Sequence, residues 1–345
     1  MNIVLTICSS NYLAHALTLG DSVREQGPDF HVVIGLVDRV PTELDSKRCP
    51  YEIIPAEALN IPGFWDMAEK YDIVELNTAV KPFYMEHLYR RDASVKTVTY
   101  IDPDILACSS LAPLLEKLSR CNLLLTPHNI TYDDSLANIA FEQAALNYGI
   151  YNLGFIGTAR SDETFRFLKW WQKRLQHLCY YQPGSGFFVD QLWMSLAPHY
   201  FSGVSIERDP GWNTAYWNLF ERRLSQRDGK FFVNGDHPLV LFHFSSFNVE
   251  NPTGIVKRNQ MHVATFAERP DVKPLFDEYA RRVVAREVAV FKAIPYTLRR
   301  HLPPEKFFSG RGIKRAVKGT LRSLPAGLQA KLVRLAQFTI NSFKK

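Results

Sequence analysis

The chain has 345 residues, enough for one large domain with an appendage or for two domains, and its 46% hydrophobic content excludes wholesale disorder. Its five cysteines are scattered without a CxxC spacing, which excludes a zinc ribbon or disulfide framework and suits a reducing cytosol. The net charge of +6 divides unevenly: residues 296–345 hold 12 of the 41 basic residues but only one of the 35 acidic ones, Glu305, so the tail carries +11 and the remainder −5. Such a basic tail on an acidic body points to a polyanionic surface.

The N-terminus, MNIVLTICSSN, has neither a basic lead nor a long apolar run, so it does not read as a signal peptide. No stretch approaches the ~20 consecutive apolar residues of a transmembrane helix. Asn2 to Cys8 reads as a first buried strand and Ser9 to Asn11 as the turn leaving it. A helix is predicted over Tyr12 to Gln26, stopped by Gly27-Pro28. His31 to Val37 and Tyr51 to Ile54 are further strands, and this order is the signature of an open α/β sheet. Ile61 to Tyr71 reads as an interrupted helix, and Thr78 to Arg90 as a better one. Lys81 falls in the first turn of the latter, unfavourable for a cation, so a nearby anion or simple exposure is expected.

Further strands are predicted from Val95, over Asn122 to Thr126 and over Tyr151 to Thr158, with a helix over Leu111 to Ser119. Gly154, inside the last of these strands, marks a bulge or a close approach by another group. Asp162 to Cys179 is an amphipathic helix whose tryptophans are expected in the core. Phe187 to Leu196 opens a helix containing Asp190-Gln191, and Pro210 to Asn218 is a loop dense in Trp and Asn. Strands over Lys230 to Asn234 and Leu239 to Phe244 precede a helix over Val272 to Arg286. Arg311 to Leu324 and Ala326 to Phe343 are amphipathic helices, the first with a strongly basic polar face.

The stretch VKTVTYIDPDIL (95–106) organises the rest. Its β-branched and aromatic residues suit a strand buried on both faces, and Pro103 should end it. Asp102 and Asp104 then stand at a strand end, where open sheets bind ligands and where two carboxylates suit Mn²⁺ or Mg²⁺. The competing reading is that Asp-Pro-Asp makes a turn and caps the next helix.

Taken together, residues 1–250 resemble the family 8 glycosyltransferases, retaining enzymes of the lipooligosaccharide galactosyltransferase type. The resemblance implies a GT-A fold: a Rossmann-like mixed α/β sheet flanked by helices. SSNYLAHALTLGDSV (9–23) is similar to the family's nucleotide-holding segment, with Ser9 (where the family has aspartate), Asn11 and Tyr12 against the uracil and ribose. Lys81 would meet the donor's diphosphate or sugar. YIDPD (100–104) matches the DxD metal motif, and YNLGF (151–155) places Asn152 and Gly154 beside the donor sugar. VDQ (189–191) matches the Asp-Gln pair, Asp190 binding sugar hydroxyls and Gln191 lying beneath the anomeric carbon. HFSS (243–246) resembles the segment whose histidine, His243, is the third metal ligand after Asp102 and Asp104. Here Ser246 replaces an expected glycine and Val249 a phosphate-gripping lysine, for which Lys257 is a substitute. Residue by residue, bland readings stand beside these: Asn152 as a turn cap, Asp190 as a helix N-cap, His243 as a core histidine.

The resemblance implies transfer of a hexose from a nucleotide-sugar, a UDP-sugar, to a glycan or lipid-linked acceptor in cell-surface polysaccharide synthesis. Residues 251–345 read as a helical C-terminal region whose tail, from about 296, binds an anionic membrane surface. This puts the enzyme in the cytoplasm, peripheral on the inner face of the plasma membrane. A helical cap with its basic face in solvent is the alternative, and no nucleic-acid-binding motif is present. An inverting transferase, with Asp190 or Glu221 as base, and a catalytically silent scaffold are the rival functions. A dehalogenase-type phosphatase would need Ser or Thr soon after Asp104, where Ile105-Leu106-Ala107 stands.

Overall fold

The segment NIVLTIC forms strand β1 (Asn2–Cys8), and α1 (Leu13–Gln26) leads to β2 (Phe30–Leu36), which pairs with β1 in parallel along its whole length. These elements belong to a computed structural model, which describes residues 1–42, 44, 48–256 and 265–298. Next come β3 (Glu52–Pro55), α2 (Phe64–Lys70), α3 (Ile73–Ala79) and α4 (Lys81–Arg91). The single helix predicted from Thr78 is therefore broken at Val80. Asp72 and Glu75 cap α3 reciprocally, Asp72 Oδ1 accepting from the Glu75 N–H at 2.9 Å and Glu75 Oε2 from the Asp72 N–H at 3.0 Å. Pro82 lacks an N–H and is tolerated only in a first helical turn, so α4 starts at Lys81.

Strand β4 (Thr97–Ile101) stops before Pro103 as expected, but β5 (Ile105–Ala107) begins at once on the far side. Then follow α5 (Ala112–Leu118), β6 (Leu123–Pro127), α6 (Leu136–Tyr148), β7 (Tyr151–Ala159) and α7 (Asp162–Leu178). Ser161 caps α7, and Trp171 is fully buried in the core, as its spacing indicated. The helix predicted over Phe187 to Leu196 is mostly absent. Its first residues form β9 (Phe187–Phe188), hairpinned to β8 (Tyr181–Gln182), and only α8 (Gln191–Met194) is helical, followed by α9 (Ala197–Tyr200). After β10 (Val204–Ile206) and β11 (Thr214–Ala215) come β12 (Leu224–Arg227), β13 (Lys230–Val233), β14 (His237–Pro238) and β15 (Leu241–His243). Helices α10 (Lys273–Ala285) and α11 (Val288–Lys292) follow.

The main sheet has the order β10-β6-β7-β4-β1-β2-β3. Six strands run one way and β7 runs against β4 and β6, so the sheet is mixed and flanked by helices. That reversal positions the site. The first residues of β7 lie on the same rim as the carboxyl ends of β4 and β6, with Phe155 opposite Ile101 and Tyr151 opposite Pro127. A second sheet, β11-β15-β5, pairs His243 with Ile105.

Residues Met1–His301 make one compact unit. Tyr279 of α10 stacks on Phe244 with centroids 3.8 Å apart, beside Phe242, Phe247 and Phe276. Each such phenylalanine contributes about 1.5–3 kcal/mol by burial. The tail helices predicted over 311–324 and 326–343, and Lys257, lie outside the described residues. Among the described residues no helix is long and apolar enough to cross a membrane.

His15 in α1 joins these layers, its Nδ1 2.8 Å from the Tyr279 hydroxyl and its ring stacked on Tyr12. Burial pushes its pKa down to about 4, against a weaker pull from the Asp104 and Glu250 carboxylates. The unfolded imidazole titrates near 6.5, so between these values the unfolded chain binds more protons and stability falls as pH falls. Acidification from pH 7 to 5 should cost about 2 kcal/mol through this group. Urea unfolding of His15→Gln at both pH values checks this, and a pH slope as steep as that of the unaltered chain would refute it.

Candidate active site

The turn Asp102-Pro103-Asp104 joins the two sheets, and both hold it. The Asp102 N–H donates to the Gly154 carbonyl at 2.8 Å from the main-sheet side, and the Phe244 N–H donates to the Asp104 carbonyl at 2.8 Å from the other. This pairing sets His243 beside both carboxylates: its Nε2 is 3.0 Å from Asp104 Oδ1 and 3.8 Å from Asp102 Oδ2. One ligand atom from each of the three residues falls within 4.8 Å of the others. Burial works against the imidazolium, but Asp104 and Asp102 outweigh it and raise the His243 pKa. Burial likewise opposes the Asp104 carboxylate, and His243 overcomes it, holding that pKa below the usual range.

Lys81 finds the anions that its place at a helix start called for. It is only 4% exposed. Its Nζ lies 2.9 Å from Asp190 Oδ2 and 3.7 Å from Asp102 Oδ1, donates to the Leu153 carbonyl at 3.1 Å, and sits over the Tyr100 ring. Burial disfavours its charge, yet Asp190 and Asp102 raise its pKa above the ordinary value. Asp190, itself buried, must share this one cation with Asp102, and burial pushes its pKa up to about 6 despite Lys81. The three carboxylates of Asp102, Asp104 and Asp190 outnumber the Lys81 ammonium and the His243 imidazolium, which leaves an excess of one negative charge. A divalent cation held by Asp102, Asp104 and His243 fits both that excess and the oxygen and imidazole donors present.

Asp190-Gln191 is delivered by strained backbone: Val189 has φ +40°, a rare conformation for a β-branched residue and one that concentrates at functional sites. Gln191 faces the protein with both ends of its amide. Its Oε1 accepts from Asn152 Nδ2 and from the Leu153 N–H, each at 3.2 Å, and its Nε2 donates to the Tyr148 carbonyl at 2.7 Å. It thereby ties the start of β7 to the end of α6. Asn152 Oδ1 accepts in turn from the Gly154 N–H at 3.1 Å and from Asn213 Nδ2 at 3.0 Å.

The close approach that Gly154 signalled is made by His243. A Cβ at position 154 would lie 2.7 Å from His243 Nδ1 and Cε1 and 2.8 Å from Asn152 Oδ1. Gly154→Ala should displace the imidazole, cost about 1–3 kcal/mol of stability and weaken Mn²⁺ binding. Thermal melts with paramagnetic Mn²⁺ titration measure both, and unaltered metal affinity would show that the ring accommodates the methyl group.

No family model matches the chain. YfnF of Bacillus subtilis (strain 168), itself uncharacterized, is 26% identical over 283 residues, spanning 81% of this chain and 91% of that one. YfnD of the same organism, also uncharacterized, is 23% identical over 249 residues, 71% of this chain and 77% of that one. Among solved structures, the galactosyltransferase LgtC in complex with donor and acceptor sugar analogues aligns over 86% of this chain and 98% of its own, with 16% identity and a TM-score of 0.47. The glycosyltransferase GlyE of Streptococcus pneumoniae TIGR4 aligns over 86% and 66% respectively, with 12% identity and a TM-score of 0.47.

Of the residues singled out in the sequence, Lys81, Asp102, Asp104, Asn152, Gly154, Asp190, Gln191 and His243 form one contiguous set. Tyr12 joins it by donating to Asp104 Oδ2 at 3.4 Å. Ser9 and Asn11 bond each other in the turn after β1, Ser9 Oγ donating to Asn11 Oδ1 at 2.8 Å. Ser246 adopts φ +63°, the left-handed backbone that explains a glycine preference there, while Val249 is buried in the apolar core around Phe276.

Other members were not foreseen. The Tyr100 hydroxyl donates to Asp102 Oδ1 at 2.5 Å, and the two-residue period of a strand, which puts 100 and 102 on one face, was a usable signal. His128 and Asn213 come from loops and Trp217 from a single 3-10 turn (Tyr216–Asn218), where no period exists to read. Glu221 accepts from the Ile130 and Thr131 N–H groups and from the Thr131 hydroxyl, so its carboxylate is committed to holding that loop.

Proposed function

We propose that the protein is a metal-dependent glycosyltransferase that moves a hexose from a nucleoside diphosphate, UDP in the first instance, to a glycan or lipid-linked acceptor. The observation that carries this reading is the convergence of Asp102, Asp104 and His243, from two sheets, next to the Lys81, Asp190, Asn152 and Gln191 wall. Mn²⁺ or Mg²⁺, held by those three ligands, would supply Lewis-acid stabilisation of the departing diphosphate. The chain's own residues prepare the rest. Lys81 fixes Asp190 and Asp102 in one arrangement, and Asn152 with Gln191 makes a hydrogen-bonded wall behind the donor sugar. Both lone pairs of the Gln191 amide oxygen are already engaged, so its role is to hold this wall.

Transfer with retention is supported by what the carboxylates are doing. Asp190 is ion-paired and buried, and Glu221 is saturated by its loop, which leaves neither free to deprotonate an acceptor from the far face. The departing phosphate is then the base, and the acceptor hydroxyl attacks on the leaving-group side. The basic tail, +11 over residues 296–345, supports a peripheral position on an anionic cytoplasmic membrane face, where lipid-linked acceptors are found.

Calorimetric titration of UDP, GDP and CDP into the full chain with and without Mn²⁺ tests the donor site. UDP binding that requires the metal is the expected result, and no nucleotide binding under either condition would overturn the reading. Co-sedimentation with phosphatidylglycerol-containing vesicles, but not with phosphatidylcholine alone, is expected of the tail.

A further inference from the structure

Helix α6 carries apolar residues on both of its sides and a single charge, that of Glu142, a composition that normally belongs to a buried helix. Its inner side is served. Asn138 is buried, Phe141 meets the Phe220 ring edge-on with centroids 5.6 Å apart, and the Tyr148 ring lies 5.0 Å from that of Phe188. Its outer side is uncovered among the described residues: Leu136 is 85% exposed, Leu146 72% and Ile139 50%. The helix is nevertheless built in firmly. The buried Glu221 carboxylate accepts from the Ile130 and Thr131 N–H groups and so holds the loop before it. Ser135 caps its start, the hydroxyl accepting from the Asn138 N–H at 3.1 Å, and Gln191 Nε2 donates to the Tyr148 carbonyl at its end. The exposed leucines therefore stand on a helix that is anchored at both ends.

These exposed residues form a seam. Leu136, Ile139, Gln143 and Leu146 are spaced by three, four and three, the interval at which one helix packs along another. Ile150, 44% exposed just past the helix end, continues the series. About Gln143 the pattern reads almost alike in both directions, with apolar residues seven and four before it and three and seven after. We propose that this face pairs with the same face of a second copy of the chain, antiparallel across a twofold axis near Gln143. Such an isologous contact needs a surface complementary to itself. Here apolar side chains meet apolar ones, and the two Gln143 amides, each a donor and an acceptor, satisfy each other across the axis. Glu142 lies off the seam, its Oε1 accepting from Asn138 Nδ2 at 3.3 Å, so no charge faces the axis. A bilayer would instead leave the Gln143 amide in hydrocarbon without a partner, at a cost. The area also suits a second copy. With Tyr132 before the helix and Phe220 beside it, these side chains expose a largely apolar area on the order of 700 Å². The largest apolar patch of an ordinary monomer is roughly 300–600 Å², and each partner in a standard interface contributes roughly 800 Å². This pairing does not rest on the glycosyltransferase reading.

Sedimentation equilibrium of the full chain across the micromolar range reads the oligomeric state directly, and a dimer is expected. Leu136→Ser combined with Leu146→Ser should weaken that dimer by at least about 100-fold, since burying each leucine is worth about tenfold or more. Both positions are exposed in one copy, so the far-UV circular dichroism spectrum of the variant should be unchanged. Gln143→Cys should link to its mate under diamide oxidation, while the unaltered chain and an exposed control, Asp236→Cys, should not. A monomer at every concentration would overturn the proposal. So would a dimer that survives loss of both leucines, or a Gln143→Cys chain no more readily linked than the control. Co-sedimentation with phosphatidylcholine vesicles in high salt, abolished by removing the two leucines, would give this face to a bilayer and overturn the pairing as well.

Discussion

Lys81→Met is expected to destabilise the protein by about 3–5 kcal/mol, the usual cost of breaking a buried ion pair by removing one partner. The loss does not come from the lysine's own contacts alone. Asp190, 2% exposed, would keep a carboxylate in a site where burial already pushes its pKa up to about 6 with the ammonium present. Without that ammonium the carboxyl must take up a proton or draw in water, and the Leu153 carbonyl loses its donor as well. Urea unfolding measures the effect as a shift in midpoint. The double variant Lys81→Met with Asp190→Asn separates the causes, since removing the stranded charge should restore a large part of the loss. A single variant as stable as the unaltered chain would mean that Lys81 is not held by its carboxylates.

Asp104→Ala should have the opposite profile: a small change in stability and a loss of Mn²⁺-dependent UDP binding on the order of 100-fold or more, since changes merely to the partners of metal ligands already cost 10–100-fold. The fold does not depend on this side chain. The Asp104 carbonyl keeps its bond from the Phe244 N–H, and β5 keeps its pairing with β15. Loss of the carboxylate removes the group that holds the His243 imidazolium, so the ring becomes neutral, which a buried histidine tolerates. Calorimetry with UDP and Mn²⁺ beside a thermal melt of the same preparation gives both readings. Retained metal-dependent binding would sink the three-ligand site, whereas joint loss of binding and of folding would make Asp104 structural.

Much of the site was legible as local pattern. Asp102 and Asp104 follow a buried apolar strand and flank a proline, so their place at a strand end is written within about ten residues. Lys81 at a helix start signalled an anion or simple exposure, and Gly154 inside a strand a bulge or a close neighbour; the structure shows the anion and the neighbour. Where local signals competed, reading failed. The helix predicted over Phe187 to Leu196 has suitable composition, but Phe187–Phe188 pair with Tyr181–Gln182 instead, and Val189 is bent to φ +40° to turn Asp190 inward. Likewise nothing in Ile105-Leu106-Ala107 marks it as a strand, because three apolar residues carry no period until β15 lies beside them.

By itself, then, the sequence determined which segments are apolar enough to be buried and where proline, glycine and capping residues interrupt them, since those preferences act over a few bonds. It also placed the acidic pair and the late histidine at element ends, but set the Asp-Gln pair inside a helix that the structure begins only at Gln191. Only the tertiary structure decided which partner each one meets. The antiparallel run of β7 brings Asn152 and Gly154 to the rim where β4 ends, and the pairing of β15 with β5 carries His243 there from the far part of the chain. Both follow from strand pairing between distant segments, where one residue of slip would turn each side chain to the opposite face. The same holds for the outer face of α6: whether Leu136 and Leu146 are covered depends on everything packed around the helix, and no stretch of sequence states that.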